Sequence, residues 1–228
     1  MLQTWHDLLF AHWPVAPGPL RALLPPGLLL DEFEGQAFVG VVPFRMGGIR
    51  LRGLPPLPGL SAFPEINLRT YVVHAGRPGV FFLSLDAAHV VAVWAARRFF
   101  HLPYYLASIR SAPDGDGVGY SARRIHRGFP ALEFRARYRP RGPAALAPAG
   151  SLEHWLTERY SLYTAGPGGG LETGEILHEP WPLQPAEAEI ERNDLATPFG
   201  VTLAGQPPLL HFARRLPVRL WGLAQVPS

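Results

Sequence analysis

Short runs of β-branched and aromatic residues, separated by turns that contain glycine, set the strongest constraint on the fold. Residues 28–30, 37–44 and 68–73 are runs of this kind, and such runs are typical of strands. Alternating segments recur at 104–110, 118–125 and 132–139, the first two joined by the hairpin signal Asp114-Gly115-Asp116-Gly117. The pattern predicts an α+β chain that is mostly antiparallel β.

Helical patterns are few and mostly short. Residues 87–100 are alanine-rich with one apolar face, and Ser151 is placed to cap a short helix that follows it. Residues 5–13 fit either a strand or a short helix, and residues 182–190 indicate a further short helix. No sharp break in composition divides the 228 residues, so we expect one domain over residues 1–228.

Composition argues against several classes of function. The chain contains no cysteine, which removes disulfides, thiol nucleophiles and thiolate metal sites. No apolar stretch approaches the roughly 20 residues of a membrane span, and the first residues lack a secretion signal, so we expect a cytoplasmic protein with no membrane partner. The nine histidines are scattered and form no known ligand motif. We therefore expect no cofactor and no metal, although a metal site assembled from distant segments stays open.

The basic character of the chain is weak. The formal net charge is only +3, and the densest basic stretch, residues 123–141, alternates arginine with apolar residues. That alternation favours the solvated face of a strand over a phosphate-binding stripe. We expect no nucleic-acid partner.

A row of polar side chains alternates with apolar ones along one predicted strand. Glu65, Asn67, Arg69 and Tyr71 share one face, since side chains of a strand alternate between its two sides. The row fits two interpretations equally. It forms either a solvated sheet face with a Glu–Arg pair or the polar interior of a barrel that holds a small ligand.

Other polar clusters have a structural and a functional interpretation each. Tyr104-Tyr105 fits packing, or a phenol that donates to a developing oxyanion. Glu158-Arg159-Tyr160 fits a charge pair at a helix end, or part of a site. His178 lies in an apolar, strand-like context, where a core or surface histidine is the commoner case. Asp86 follows a strand and precedes the predicted helix, a position typical of an N-cap.

Several of these segments resemble a known family. Trp5-His6-Asp7 and residues 41–46, 64–71, 157–160 and 178–183 are similar to the YqjF-like family of unknown function, within the acetoacetate-decarboxylase-like superfamily. Residues 82–105 resemble, more remotely, the decarboxylase segment that ends in an aromatic-Pro-Lys-Lys motif. The resemblance implies a cone-shaped antiparallel barrel with a flanking sheet and a few short helices. It also implies a homo-oligomer.

The departures from the decarboxylase bear on chemistry. Tyr104 and Tyr105 stand where the resemblance places the Lys pair, and the chain contains no lysine, so a Schiff base with a keto acid is excluded. Glu65 matches the acidic position of the decarboxylase pocket. Arg97 and Arg98 match its Arg-Glu pair, which makes this pocket less acidic.

We therefore expect a pocket for a small organic acid or carbonyl compound. Arg69 or Arg159 would pair with a carboxylate, Glu65 or Glu158 would be the general acid or base, and Tyr104 or Tyr105 would hydrogen-bond the carbonyl oxygen. Further binding side chains are predicted at Asn67, Tyr71, Arg98, Tyr160 and His178.

Two other functions compete with a lysine-independent enzyme. A non-catalytic metabolite carrier or sensor would use the same pocket. A protein-interaction module would instead use the Pro-rich loop at residues 53–64, with an exposed loop and a filled interior. A carboxylate with a raised pKa would favour the enzyme over the carrier.

Overall fold

Strands dominate the computed structural model, which describes residues 1–56, 59, 61–166, 168–203 and 208–226. The strands are β1 (Leu2–Val15), β2 (Leu29–Leu30), β3 (Ala37–Arg50), β4 (Phe63–His74), β5 (Arg77–Ala87), β6 (Tyr104–Asp114), β7 (Gly117–Arg124), β8 (Glu133–Pro140), β9 (Ser161–Ala165), β10 (Leu171–Leu177), β11 (Gln184–Asn193), β12 (Leu209–Leu220) and β13 (Ala224–Gln225). The helices are α1 (Pro17–Arg21), α2 (Val90–Phe99) and α3 (Leu152–Thr157), with a 3₁₀ turn at Thr197–Phe199. The predicted α+β class is confirmed.

The strand pairing closes two rings that share β12, β1, β3, β4 and β5. The larger ring continues from β5 through β6, β7, β8 and β11 to β12, and the smaller ring continues through β9 and β10 to β12. Within the rings β5 runs parallel to β6 and to β9, and the other neighbours are antiparallel. Because side chains alternate along a strand, each shared strand contributes to both interiors.

Each ring has its own apolar core. Leu9 and Ile66 pack with Phe134 in the larger ring, whereas Leu8 packs with Trp181 in the smaller ring. The neighbours Leu8 and Leu9 therefore point into different cores, as period-two alternation requires. The segment at residues 5–13 is thus a strand, which settles the choice that its sequence left open.

Two local predictions are wrong. Asp86 does not cap α2: it lies inside β5, where Arg124 binds both of its carboxylate oxygens at 2.7 Å, and His89 caps the helix instead. Residues 182–190 are not helical, since β11 pairs with β8 across most of this segment. Its alternation of alanine with exposed glutamate is a strand pattern.

Two other predictions hold. The Ser151 hydroxyl accepts a hydrogen bond from the backbone N–H of His154 at 3.2 Å, so Ser151 is the N-cap of α3. On β8, Arg135, Arg137 and Arg139 are exposed and lie near acidic side chains, which is the solvated strand face that the alternation predicts. Within the described ranges, no helix is long and apolar enough to cross a bilayer.

Candidate functional site

A cavity of about 90 Å³ lies inside the smaller ring, and every strand of that ring contributes to its lining. Three members of the polar row on β4, Glu65, Asn67 and Arg69, line it. Their apolar neighbours Ile66 and Leu68 pack into the core of the larger ring. The polar row is therefore an interior row, and the solvated-face interpretation is wrong.

Among the described residues, Glu65 is the one acidic side chain that lines the cavity. Its side chain is buried, and the Tyr104 hydroxyl donates to its Oε2 atom at 2.8 Å. Burial raises the pKa of Glu65 to about 8; the hydrogen bond from Tyr104 opposes this rise and the nearby Asp86 carboxylate adds to it. Glu65 therefore carries a proton at pH 7. Because Tyr104 donates to Oε2, that proton belongs on Oε1.

Tyr104 is held as a hydrogen-bond donor. Burial, together with the neighbouring Glu65, raises the pKa of its phenol well above the ordinary value. The phenol thus stays protonated at neutral pH. The Glu65–Tyr104 pair presents a neutral acid and its supporting donor inside one cavity.

Two arginines supply positive charge to the same cavity. Arg159 is buried and fixed: its Nη1 lies 2.6 Å from Oδ2 of Asp31, and its Nε donates to the Trp155 carbonyl at 2.6 Å. Burial lowers the pKa of Arg159 and the hydrogen-bonded Asp31 raises it.

Arg69 differs from Arg159 because it has no carboxylate partner among the described residues. Its Nη2 donates to the Leu156 carbonyl at 3.3 Å and to the Tyr71 hydroxyl at 3.4 Å. Within the part of the chain that the structure describes, no carboxylate lies within ion-pair distance of Arg69. Its positive charge is therefore free to attract an anion in the cavity.

Several buried polar atoms of the cavity lining have no hydrogen-bond partner among the described residues. The donors are Arg69 Nε, Arg159 Nη2, Trp5 Nε1 and Trp181 Nε1, and the acceptor is Asn67 Oδ1. A buried polar atom without a partner costs about 1–3 kcal/mol. This concentration of donors beside two guanidinium groups suits a ligand with several acceptor oxygens, such as a carboxylate.

His178 is the one histidine that lines the cavity, again among the described residues. Its Nδ1 lies 2.8 Å from the carbonyl oxygen of Glu179, which can only accept, so Nδ1 carries the hydrogen and Nε2 has a free lone pair. Burial lowers the pKa of His178 more than its backbone hydrogen bond raises it. The ring is therefore neutral at pH 7.

The remaining predicted site residues lie outside the cavity lining. Glu158 accepts from the Trp181 backbone N–H at 2.8 Å and from the Tyr160 hydroxyl, so it positions the segment that carries Trp181. Tyr71 is buried behind Arg69 and bonds His12 Nε2 at 2.7 Å.

Tyr105 and Arg98 also lie outside the cavity lining. The Arg124 guanidinium lies 3.8 Å from the Tyr105 ring centroid, outside the cavity, and Phe129 packs on the same ring. Arg98 is exposed on α2, above Phe99. Since neighbours on a strand point to opposite faces, Tyr104 and Tyr105 could not both line one cavity.

Sequence reasoning missed the two tryptophans and the acid that holds Arg159. Trp5 and Trp181 stack with ring centroids 5.9 Å apart, and both residues belong to the cavity lining. Both residues lie in segments that resemble the YqjF-like family, which was the available signal. Asp31 follows β2, and no motif or pattern in the sequence pointed to it.

No group of three or more His, Cys, Asp or Glu side chains in the described ranges is arranged to hold a metal ion.

The family and fold follow from comparison with known proteins. Residues 2–217 match the model of the DUF2071 family, described as an uncharacterized conserved protein. The uncharacterized protein YqjF of Bacillus subtilis strain 168 is 48% identical over 223 residues, which cover 98% of this chain and 91% of YqjF.

Two solved structures share the fold at low identity. Acetoacetate decarboxylase from Legionella pneumophila has a TM-score of 0.66 at 16% identity, covering 99% of this chain and 87% of its own. The enduracididine biosynthesis enzyme MppR has a TM-score of 0.66 at 16% identity, covering 98% and 89%. The chain therefore belongs to the DUF2071 family and has an acetoacetate-decarboxylase-like fold.

Proposed function

We propose that the cavity binds a small organic acid bearing a carbonyl group and catalyses proton transfer next to that carbonyl, without an imine. The observation that carries the proposal is that one buried cavity holds a neutral carboxyl, Glu65, and the guanidinium of Arg69, which has no carboxylate partner among the described residues. The chain contains no lysine, so no amine of a lysine side chain is present to form a Schiff base.

The two arginines anchor the carboxylate of the substrate. Arg69 Nε and Arg159 Nη2 are buried donors without partners among the described residues, and a carboxylate satisfies two donors at once. Asp31 and Trp155 already fix Arg159, so little side-chain entropy is lost when the substrate binds. The indole N–H groups of Trp5 and Trp181 supply further donors.

Glu65 and His178 form the acid–base pair. Their environments move their pKa values in opposite directions, which leaves the carboxyl protonated and the imidazole neutral at pH 7. His178 Nε2 takes a proton from the carbon beside the carbonyl, and Glu65 Oε1 gives its proton to the carbonyl oxygen. The product is an enol, and the reverse transfer restores both groups. Tyr104 supports Glu65 through its hydrogen bond to Oε2.

A fold neighbour suggests the first compound to test. MppR has been solved in complex with pyruvate, which carries a carboxylate next to a carbonyl. The same combination fits an arginine anchor beside a neutral acid. Pyruvate is therefore the first member of a panel of 2-oxo acids for this chain.

The two competing functions explain less of the site. A carrier needs the arginines but has no need of a carboxyl whose pKa is raised to about 8. An interaction module would use residues 53–64, of which residues 57, 58 and 60 lie outside the described residues, while residues 53–56 are exposed. It leaves the buried donors of the cavity unexplained.

Exchange of the methyl protons of pyruvate for deuterium in D₂O, followed by proton NMR, tests the proposal. The wild-type chain should accelerate exchange, Glu65→Gln should lower the rate by about 100-fold or more, and Arg69→Gln should raise KM. Glu189→Gln, an exposed substitution on β11, is the matched control and should leave exchange unchanged. Binding of 2-oxo acids with no exchange above the buffer rate would instead support the carrier. Absence of binding by the whole panel would contradict the proposal.

A further inference from the structure

An apolar groove adjoins the cavity and opens beside α2. It has a volume of about 280 Å³, roughly three times that of the cavity. Its lining includes three alanines of α2, Ala92, Ala95 and Ala96, together with Trp221 and Leu223 after β12.

The groove and the cavity are adjacent and share part of their lining. Six residues line both: Gln3, Met46, Leu102, Tyr104, Leu162 and Leu220. Tyr104 belongs to this shared lining, and its hydroxyl donates to Glu65. A ligand whose head lies in the cavity would reach the groove by passing between these shared side chains.

The groove and the cavity differ in whether their polar side chains already have hydrogen-bond partners. In the groove, the His89 ring already accepts from Ala92 N–H at 3.1 Å and contacts the Gly59 carbonyl at 3.2 Å, and Glu175 pairs with Arg77 at 2.9 Å. The N-terminal amine of Met1 donates to the Leu220 carbonyl at 2.7 Å. The groove therefore offers mainly apolar surface, whereas the cavity offers donors without partners.

We infer that the substrate is an amphiphilic acid, a 2-oxo acid with an unbranched apolar tail of several carbons, whose head occupies the cavity and whose tail occupies the groove. The inference rests on the proposed function, because the head contacts are those of Arg69, Arg159 and Glu65. It adds the tail. A chain that leaves water for an apolar wall gains binding free energy with each methylene.

Isothermal titration calorimetry with 2-oxo acids of increasing length, from pyruvate to 2-oxooctanoate, measures the tail contribution. The Kd should fall about fourfold per added methylene until the groove is full. Ala95→Trp places an indole in the groove and should abolish the gain with length while leaving the Kd of pyruvate unchanged, which also shows that the variant is folded. Ala95→Leu should reduce the gain in part.

Val90→Trp is the matched control. It adds the same indole to α2 at an exposed position outside the groove lining, and the length dependence should stay as in the wild type. Arg69→Gln should weaken acids of every length by a similar factor, since it acts on the head alone.

Three outcomes would overturn the inference, and they separate it from the proposed function. If pyruvate binds through Arg69 but the Kd is independent of length, the groove has no role and the proposed function stands. If long acids bind equally well in Arg69→Gln, the tail site does not serve the cavity. If no acid of any length binds, both proposals are wrong.

Discussion

Replacing Glu65 by glutamine should stabilise the folded chain at neutral pH. The pKa of this carboxyl is about 8 in the folded chain and about 4.5 in an unfolded one, so folding takes up a proton between these values. The contribution of Glu65 to stability is thus fully present below about pH 4.5 and is lost as the pH rises towards 8. About 1.4 kcal/mol per pH unit, acting from pH 4.5 to pH 7, amounts to about 3.5 kcal/mol.

Glutamine avoids this cost and keeps the local contacts. Its carbonyl oxygen accepts from Tyr104 as Oε2 does, and its N–H stands where the neutral carboxyl has its proton. At pH 7 the variant should be more stable by up to about 3.5 kcal/mol, which corresponds to a rise in Tm of roughly 7–14 °C for a chain of this size. At pH 4 the two proteins should be equally stable.

Urea unfolding at pH 4, 7 and 8.5 gives the difference directly. Glu189→Gln, at an exposed position, serves as control and should show no trend of this kind with pH. If Glu65→Gln is no more stable than the wild type at pH 7, and the difference does not change with pH, then Glu65 is ionised in the folded chain. It could not then act as a general acid at neutral pH.

Three further predictions concern the site and its support. Asp86→Asn should lower the free energy of unfolding by about 3–5 kcal/mol in urea unfolding, because it leaves the Arg124 guanidinium buried without its carboxylate. The pH profile of kcat/KM should fall on its acidic side as His178 gains a proton, at a pH below the ordinary histidine value because burial lowers the pKa of His178, and it should fall above about pH 8 as Glu65 loses a proton. Tyr104→Phe should move the upper limb of that profile to higher pH. In the wild type the hydrogen bond from Tyr104 lowers the pKa of Glu65, so removing it raises that pKa.

The polar row shows what the sequence could establish. Period-two alternation alone placed Glu65, Asn67 and Arg69 on one face, and the structure puts that face in the cavity. The same rule could have separated Tyr104 from Tyr105, because neighbours on a strand cannot share a face. The choice between an interior and a solvated face was beyond reach, since it depends on how distant strands close a ring.

Contacts between distant segments were the main gap. Trp5 on β1 meets Trp181 before β11, and Asp31 reaches Arg159 across 128 positions of the chain. No local pattern predicts such pairs. Asp86 shows the opposite error, in which a local rule for helix caps was applied although a buried partner, Arg124, determined the role of the carboxylate.

The central claim is that Glu65 is a neutral acid in the resting protein. Carbon NMR of the chain with ¹³C-labelled glutamate carboxyls measures this directly, with Glu65→Gln assigning the resonance. The account predicts that the Glu65 carboxyl resonance has the chemical shift of a protonated carboxyl at pH 7 and titrates with a midpoint near pH 8. A resonance already ionised at pH 7, with a midpoint near that of a free glutamate, would contradict it.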